Sequence, residues 1–430
     1  MPADNRERAM FPKGILDRRQ FLCRVGTLLG AGWLLSACGR PNEVLTDLAS
    51  APPATATPRP TYTPIPGGAC ASAVVPTTTP FPTFTPETPI VYPSPTPSPA
   101  LATPLPPTYT PVPATPTPPA APSPAATAAP SPVPARADLL AHWPQVAQSR
   151  VVSVSHSGVW TGGGPDSEIV LQMLDQGMSQ LAGGADSLDV WRTLFDPQER
   201  VLLKVNCIAA GGPTQPVVAY AVAQRLQDAG LPAENIRIFD RTDWELTDAG
   251  YQFNEGSAGI QCFGNRGEGT EAVIAGAGVR FFREFDDYDA IINLPTPKSH
   301  GIAGISCAMK NHYGSINQPG ALHGGGCDPA LPELNAHPLI KDKTRLIIAA
   351  ALAVSPFDWN KPERDQRLLF SFDPVALDTV ARDILVAHYQ AQGADGGGLV
   401  TGAHYLATAE SSGLGATDAG YIELQDVALG

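Results

Sequence analysis

Residues 200–240, RVLLKVNCIAAGGPTQPVVAYAVAQRLQDAGLPAENIRIFD, decide the fold. The apolar run Arg200–Val205 predicts a strand. Val217–Ala229 has the pattern of a helix, with Pro216 in its first turn. Asn235–Phe239 predicts a second strand. A strand, a helix and a strand within about 40 residues form a βαβ unit, whose two strands pair in parallel.

The same alternation of strands and helices continues on both sides of this unit. The further predicted strands are Val151–Ser155, Gln261–Phe263, Val279–Phe282, Ala290–Leu294 and Arg345–Val354. The further predicted helices are Ser167–Leu181, Ser187–Phe195, Trp244–Tyr251, Val375–Gln390 and Ala403–Ser411. We therefore predict a single α/β domain over residues 141–430, with a largely parallel sheet flanked by helices.

The first 37 residues have the pattern of an export signal. Arg18-Arg19 followed by Phe21-Leu22 resembles a twin-arginine signal, although Asp17 and Cys23 depart from that pattern. The apolar run that follows is about 13 residues long, which is too short to span a bilayer. It ends in Leu35-Ser36-Ala37-Cys38, which resembles the site where a lipoprotein signal peptide is cleaved and the cysteine is acylated.

We therefore predict a signal peptide over residues 1–37 and a lipid anchor on Cys38. The domain is expected outside the cytoplasm, held at the cell membrane as a lipoprotein of a bacterial-type envelope. Export by the twin-arginine or the general route stays open, as does an uncleaved N-terminal anchor.

Residues 38–140 have the composition of a linker. Twenty-eight of the 46 prolines fall between residues 51 and 140, among threonine, alanine and serine. Proline favours the extended polyproline II conformation, and such a segment has too few large apolar residues to bury a core. We predict a disordered stalk between the membrane anchor and the domain.

Charge and motifs exclude several classes of protein. With a net charge of −13 at pH 7, the chain lacks the basic surface that nucleic-acid binding requires. The sequence has no GxxxxGK[ST], GxSxG, HExxH or CxxC pattern, which argues against a nucleotide P-loop, the common hydrolases, a zinc ribbon and an iron–sulfur cluster. The cofactor, the metal, the oligomeric state and the disulfide pattern stay open.

Polar side chains follow the predicted strands at the point where each strand ends. Lys204 and Asn206 stand at the end of the first strand of the βαβ unit, and Asp240 follows the second. Lys298 and His300 come shortly after the next long apolar strand. Because the carboxyl ends of parallel strands meet at one edge of the sheet, we expect these side chains to converge there.

Residues 287–326, DYDAIINLPTPKSHGIAGISCAMKNHYGSINQPGALHGGG, add Lys310, Asn311 and His323 to this region. Lysines that cluster in an acidic domain predict a site for a phosphate or carboxylate. Histidines serve as general acids and bases or as metal ligands. His312 is adjacent to Asn311 and would point elsewhere, so we interpret it as structural.

Six motifs occur in a fixed order over about residues 195–390. They are Leu203-Lys204-Val205-Asn206, Thr214-Gln215-Pro216, Asp240, Asn293-Leu294-Pro295 with Lys298 and His300, Met309-Lys310-Asn311 with Gly314, and Asp373-Pro374-Val375-Ala376-Leu377-Asp378. Together they resemble the domain of unknown function family numbered 362. Gln215 stands where that family often has Asn or His, and Ala349-Ala350-Ala351 stands where it usually has an Asp-Gly pair nearby. The resemblance implies a domain with a shared pocket and specifies no reaction.

These residues form one predicted site. The predicted catalytic residues are His300, His323 and Lys310. The predicted ligand-binding residues are Lys204, Asn206, Thr214, Asp240, Lys298, Asn311 and Asp373. We expect Asp240 or Asp373 to orient a histidine. The alternatives are that the two asparagines bond loop backbone and that Asp373 caps the helix that follows it.

The functional hypothesis is an exported, membrane-anchored lipoprotein whose domain binds an anionic small molecule or cofactor. Proton transfer of the isomerase or racemase type fits the lysines and histidines of the site. The alternative is a surface lipoprotein that binds a ligand or a metal without turnover. A purely structural role in the envelope is the third hypothesis.

Overall fold

The computed structural model describes residues 131–208 and 212–430. The predicted signal peptide, Cys38 and most of the predicted stalk lie outside the described residues. Within the described part of the chain, no helix is long and apolar enough to cross a membrane.

An eight-stranded sheet forms the centre of the described structure. Its strands are β1 (Ser149–His156), β2 (Val201–Val205), β3 (Ile236–Phe239), β4 (Gln261–Cys262), β5 (Ala290–Leu294), β6 (Thr344–Val354), β7 (Glu363–Ser371) and β8 (Ile422–Leu429). Their spatial order is β8-β1-β7-β6-β5-β2-β3-β4. Only β7 runs against its neighbours, because it pairs antiparallel with both β1 and β6 and the other pairs are parallel. The predicted α/β class with a largely parallel sheet is confirmed.

Two strands of this sheet were not predicted from the sequence. Strand β7 begins with the charged run Glu363–Arg367, and only its second half is buried. Strand β8 lies at the edge of the sheet and has no fully buried residue. Neither segment has the apolar run that predicts a buried strand, and their place in the sheet depends on pairing with β1 and β6.

Helices cover both faces of the sheet. One core joins Ser167–Leu181, Ser187–Leu194 and Pro216–Asp228 to the first face, and the other joins Ala330–Ala336 and Pro374–Ala391 to the second. The remaining α-helices are Arg136–Leu139, Asp243–Asp248, Glu284–Asp287, Ala308–Asn311, Pro338–Lys341, Gly397–Gly402 and Tyr405–Ser411. The helix predicted over about Ala403–Ser411 is confirmed, with its start two residues later at Tyr405, whereas the short helix Gly397–Gly402 before it was not predicted.

Short elements complete the described chain. A hairpin of Glu268–Ile274 and Ala277–Phe282 lies outside the central sheet, as do the small paired strands Trp160–Thr161 with Gly164–Pro165 and Lys298–His300 with Gly304–Ser306. The first residues described, which fall in the predicted linker, include the helix Arg136–Leu139, and Leu139 packs into the first core.

The alternation of side chains along β2 and β5 decides what faces the second core. Leu203 and Ile292 point to the first core, so Lys204 and Asn293 point to the other face. The two residues are direct partners in the parallel ladder. A buried lysine and a buried asparagine thus lie side by side at the carboxyl end of the sheet.

Candidate functional site

A cavity of about 220 Å³ opens at this end of the sheet. Its walls come from the loops after β2, β3, β5 and β6, which is where open parallel sheets bind ligands. The lining residues are Lys204, Asn206, Ile208, Asp240, Arg241, His300, Ser306, Lys310, Asn311, Tyr313, Gly314, Pro319, His323 and Trp359. The expected convergence of strand-end side chains is present in the structure.

An ion pair between Lys204 and Asp240 forms the floor of the cavity. The Nζ and Oδ1 atoms are 2.9 Å apart, and both side chains are buried. Asp240 also accepts the backbone N–H groups of Cys207, at 2.6 Å, and Arg241, at 2.9 Å. The carboxylate therefore joins the loops after β2 and β3, and it contacts no histidine.

Three asparagines extend this network towards the short helix Ala308–Asn311. Asn206 Nδ2 donates to Asn311 Oδ1 at 3.1 Å, and Asn311 Nδ2 donates to Asn293 Oδ1 at 2.8 Å. Asn311 Nδ2 also donates to the backbone carbonyl of Lys204. Buried amides that are bonded on both sides hold a fixed geometry. The network locks the helix that carries Lys310 onto the strands that carry the ion pair.

Lys298 lies directly behind this network and does not line the cavity. It is 0% exposed, and its Nζ donates to Asn206 Oδ1 at 2.6 Å and to the Ile208 carbonyl at 2.8 Å. No carboxylate lies within ion-pair distance of it among the described residues. Burial lowers the pKa of Lys298 to about 7, because the low-dielectric surroundings disfavour the ammonium.

Lys310 projects into the cavity from the helix Ala308–Asn311. Its Nζ lies 3.3 Å from His323 Nε2 and 3.9 Å from the centre of the Tyr313 ring. In the described structure no carboxylate forms an ion pair with it either. Burial lowers the pKa of Lys310 to about 8. The side chain thus has a neutral base and an aromatic face as neighbours in place of a counter-ion.

Hydrogen bonds assign the proton on each of the two site histidines. His323 Nδ1 lies 3.0 Å from the Pro319 carbonyl, which only accepts, so Nδ1 carries the proton and Nε2 offers a lone pair to Lys310. His300 Nδ1 accepts the backbone N–H groups of Ile302 and Ala303, so its proton is on Nε2. Burial and the Lys310 charge lower the pKa of both rings, that of His300 to about 4.

The two rings stack with their centres 5.6 Å apart. This spacing leaves no room for a substrate between the faces of the rings. One ring thus offers an N–H donor and the other an acceptor nitrogen.

A buried carboxylate supports the short helix from below. Asp378 is 0% exposed and accepts the N–H groups of Ala308, at 2.6 Å, and Met309, at 3.2 Å. Tyr405 donates to it from the other side at 3.3 Å. Burial raises the pKa of Asp378 to about 7.

The structure brings most of the predicted site residues together. Those that line the cavity are Lys204, Asn206, Asp240, His300, Lys310, Asn311 and His323. Thr214 lies behind them, where its hydroxyl donates to the Leu294 carbonyl and accepts the Asn206 N–H. Thr214 and Lys298 thus position the loop after β2 and have no surface on the cavity.

Asp373, like Thr214 and Lys298, is a predicted ligand-binding residue that does not line this cavity. Its carboxylate accepts the N–H groups of Val375 and Ala376 at the start of the helix Pro374–Ala391, together with the Ser149 hydroxyl and the Ala416 N–H. These bonds make it a helix cap that also ties two distant segments together. The expectation that Asp240 or Asp373 orients a histidine is wrong, because both carboxylates hold other donors.

Sequence analysis missed several residues of the lining. Trp359 follows β6 at the same edge of the sheet, so the rule for strand ends would have found it. Tyr313 lies one helical turn after Lys310, at the spacing that brings side chains together. Arg241 adjoins Asp240 and pairs with Glu245.

His312, which the sequence indicated to be structural, is buried and bonded to Asn293 and Ser315.

A larger cavity of about 460 Å³ lies elsewhere, and its wall includes His142, Asp342 and the exposed Lys341 but no buried lysine. Its wall includes apolar groups such as Ile347, Phe372 and Leu414, and its site-like residues, Asn293 and His312, are bonded to each other. We therefore take the smaller cavity as the candidate site.

No group of three or more His, Cys, Asp or Glu side chains that could hold a metal ion occurs in residues 131–208 and 212–430. Four cysteines in these ranges are buried free thiols: Cys207, Cys262, Cys307 and Cys327.

The cavity lies within a segment that matches a known family. Residues 201–383 match the family model described as "Domain of unknown function (DUF362)". That span contains every residue that lines the cavity. The match supports the resemblance to this family that the sequence motifs indicate. No curated protein matches the chain.

Six chains among the solved structures match the fold. One is a structural-genomics target from Thermotoga maritima, with a TM-score of 0.36 and 11% identity, over 53% of this chain and 59% of that one. Another is the lactate racemase apoprotein from Thermoanaerobacterium thermosaccharolyticum, with a TM-score of 0.30 and 12% identity, over 52% of this chain and 54% of that one. The present chain thus spans little more than half of either protein.

Proposed function

We propose that the cavity binds a small anionic molecule and transfers a proton to or from it. The observation that carries this proposal is the buried Lys310, which lines the cavity and for which the described residues supply no carboxylate. A buried charge without a partner is costly, whereas a bound carboxylate or phosphate would compensate it. Lys204 needs no such ligand, because Asp240 already neutralises it.

The size and walls of the cavity limit the ligand. About 220 Å³ is smaller than the roughly 300–1,000 Å³ of sites for drug-sized molecules, so the ligand is short. Lys310 supplies the charge on the cavity surface, and Lys298 adds positive potential from behind. His323 Nε2 is the base and the His300 Nε2–H is the donor of a proton-transfer step.

Binding is tested by calorimetry of the full-length chain with phosphate, acetate and propionate. We expect one site that is weakened about tenfold or more in Lys310→Met, since a charge-assisted hydrogen bond contributes about 1.5–3 kcal/mol. Lys341→Met, at an exposed lysine outside the cavity, is the matched control. Equal affinity in all three proteins, or no binding of any anion, would contradict the proposal. Binding without solvent-deuterium exchange into a bound carbon acid would favour the alternative of a non-catalytic ligand-binding protein.

We also propose that the domain acts outside the cytoplasm as a lipoprotein, on the strength of the sequence around Cys38. Mass spectrometry of the membrane fraction should find an acylated Cys38 as the first residue. A Cys38→Ala chain should lose the lipid and leave the membrane fraction. Recovery of an intact, unmodified N-terminus would contradict this proposal.

A further inference from the structure

We propose that Lys310 is a covalent nucleophile, whose amine forms an imine with the carbonyl carbon of a short aldehyde or ketone acid bound in the cavity. The inference rests on the proposed function, since the acid group must first bind. It adds a substrate class, the oxo acids, and a role for Lys310 beyond holding charge.

The surroundings of the three site lysines single out Lys310. Lys204 lines the cavity, but its Nζ is already bonded to Asp240, to the Val205 carbonyl and to Asn311 Oδ1. Lys298 is fully buried, and its Nζ donates to Asn206 and to the Ile208 carbonyl, so it has no path to a ligand. Lys310 reaches the cavity and has no carboxylate partner among the described residues.

A base stands where a lysine nucleophile requires one. His323 Nε2 lies 3.3 Å from Lys310 Nζ and is free of a proton, because Nδ1 donates to the Pro319 carbonyl. An adjacent base activates a nucleophile, and desolvation is a usual means of activating a lysine. Burial acts in the same direction, since it lowers the pKa of Lys310 to about 8 and so increases the fraction of free amine near neutral pH.

The step balances without an oxidant or a reductant. His323 takes one proton from the Lys310 ammonium, and the freed lone pair forms the C–N bond while the carbonyl π electrons move to oxygen. The imidazolium returns that proton to the oxygen, which gives a carbinolamine. The hydroxyl then takes the second proton lost from nitrogen and leaves as water. One ammonium and one carbonyl thus become one protonated imine and one water.

Borohydride trapping tests the inference in the full-length protein. Pyruvate is the probe, and reduction converts an imine into a stable secondary amine that peptide mass spectrometry locates. We expect one modified residue, Lys310. Lys310→Arg keeps the charge and should abolish the adduct. His323→Ala should form it about 100-fold more slowly, the loss expected when a positioned base is removed. Lys341→Arg, at an exposed lysine, should behave as the unsubstituted chain.

Propionate separates failure of this inference from failure of the proposed function, because it has the acid group but no carbonyl. Propionate that binds both the unsubstituted chain and Lys310→Arg, while pyruvate leaves Lys310 unmodified, would overturn the inference alone. Absence of binding by either acid would overturn both. Adducts spread over exposed lysines would also overturn the inference, and the adduct position in the unsubstituted chain decides this even where a variant folds poorly.

Discussion

At the scale of single residues, three lysines of one site hold three different electrostatic states. Lys204 has a carboxylate partner, Lys298 has neutral oxygen acceptors, and Lys310 has an imidazole nitrogen and an aromatic ring. The residue type is the same, so the neighbours alone decide whether the lysine is a structural cation, a source of potential or a reactive amine.

Gly314 permits the close packing of the ion pair on the cavity floor. A Cβ at this position would lie 2.8 Å from Lys204 Nζ and 3.0 Å from Asp240 Oδ1. We expect Gly314→Ala to lower the free energy of unfolding by about 1–3 kcal/mol, the usual cost of overpacking, and to weaken anion binding. Urea unfolding and calorimetry measure the two effects. Gly320→Ala is the control, because a Cβ there meets no atom within 4 Å.

At the scale of elements, the helix Pro374–Ala391 supports the site from outside it. Asp373 caps the helix, and Asp378, just over one turn later, bonds the N–H groups that begin the helix Ala308–Asn311. One helix thus anchors the element that carries Lys310 and Asn311. We expect the loss of Asp378 to affect both stability and ligand binding, and the loss of Asp373 to affect stability alone.

Asp378→Ala should affect both stability and binding. Removing the carboxylate leaves two buried N–H groups without acceptors, at a cost of about 1–3 kcal/mol each. We also expect weaker anion binding, since the helix that positions Lys310 loses its support. Unfolding at matched urea concentrations and calorimetry with propionate give the two values. Unchanged affinity in a folded Asp378→Ala protein would show that the asparagine network alone positions Lys310.

Asp373→Ala should affect stability only. Loss of a helix cap costs about 0.5–2 kcal/mol, and the bonds to Ser149 and Ala416 are lost with it. The affinity for propionate should not change, because Asp373 does not line the cavity. A weaker affinity would instead support the ligand-binding role that the sequence predicted.

At the scale of the whole molecule, the buried lysines make stability depend on pH. Burial lowers the pKa of Lys298 to about 7 in the folded protein, from an ordinary value of 10.5. Between these values this lysine binds more protons in the unfolded chain than in the folded one, so its contribution to the free energy of unfolding rises with pH from about 7 to about 10.5. Lys298→Met should reduce this rise by on the order of a few kcal/mol. Chemical unfolding at several pH values tests it, and Lys341→Met should leave the slope unchanged.

The periodicity of apolar residues was sufficient to predict the elements whose burial pattern is visible in their own sequence. Ala290–Leu294 is buried along its whole length, and its predicted bounds match the structure. The helix Ser167–Leu181 is likewise confirmed, because its cap, Asp166, and its apolar spacing are both local. Strand β7 escaped prediction because its first half is charged and its second half is buried only by pairing with β1 and β6.

The sequence by itself determined the class of fold, the strand that contains Lys204, the strands that Asp240 and Lys298 follow, and the edge of the sheet at which these strands end. These follow from local periodicity and from the common direction of parallel strands. Tertiary structure alone decided which lysine faces a carboxylate and which faces His323. It also placed Asp373 away from the cavity and Lys298 behind the residues that line it. Such pairings join residues far apart in the chain, and no local pattern encodes a distance of 3 Å between them.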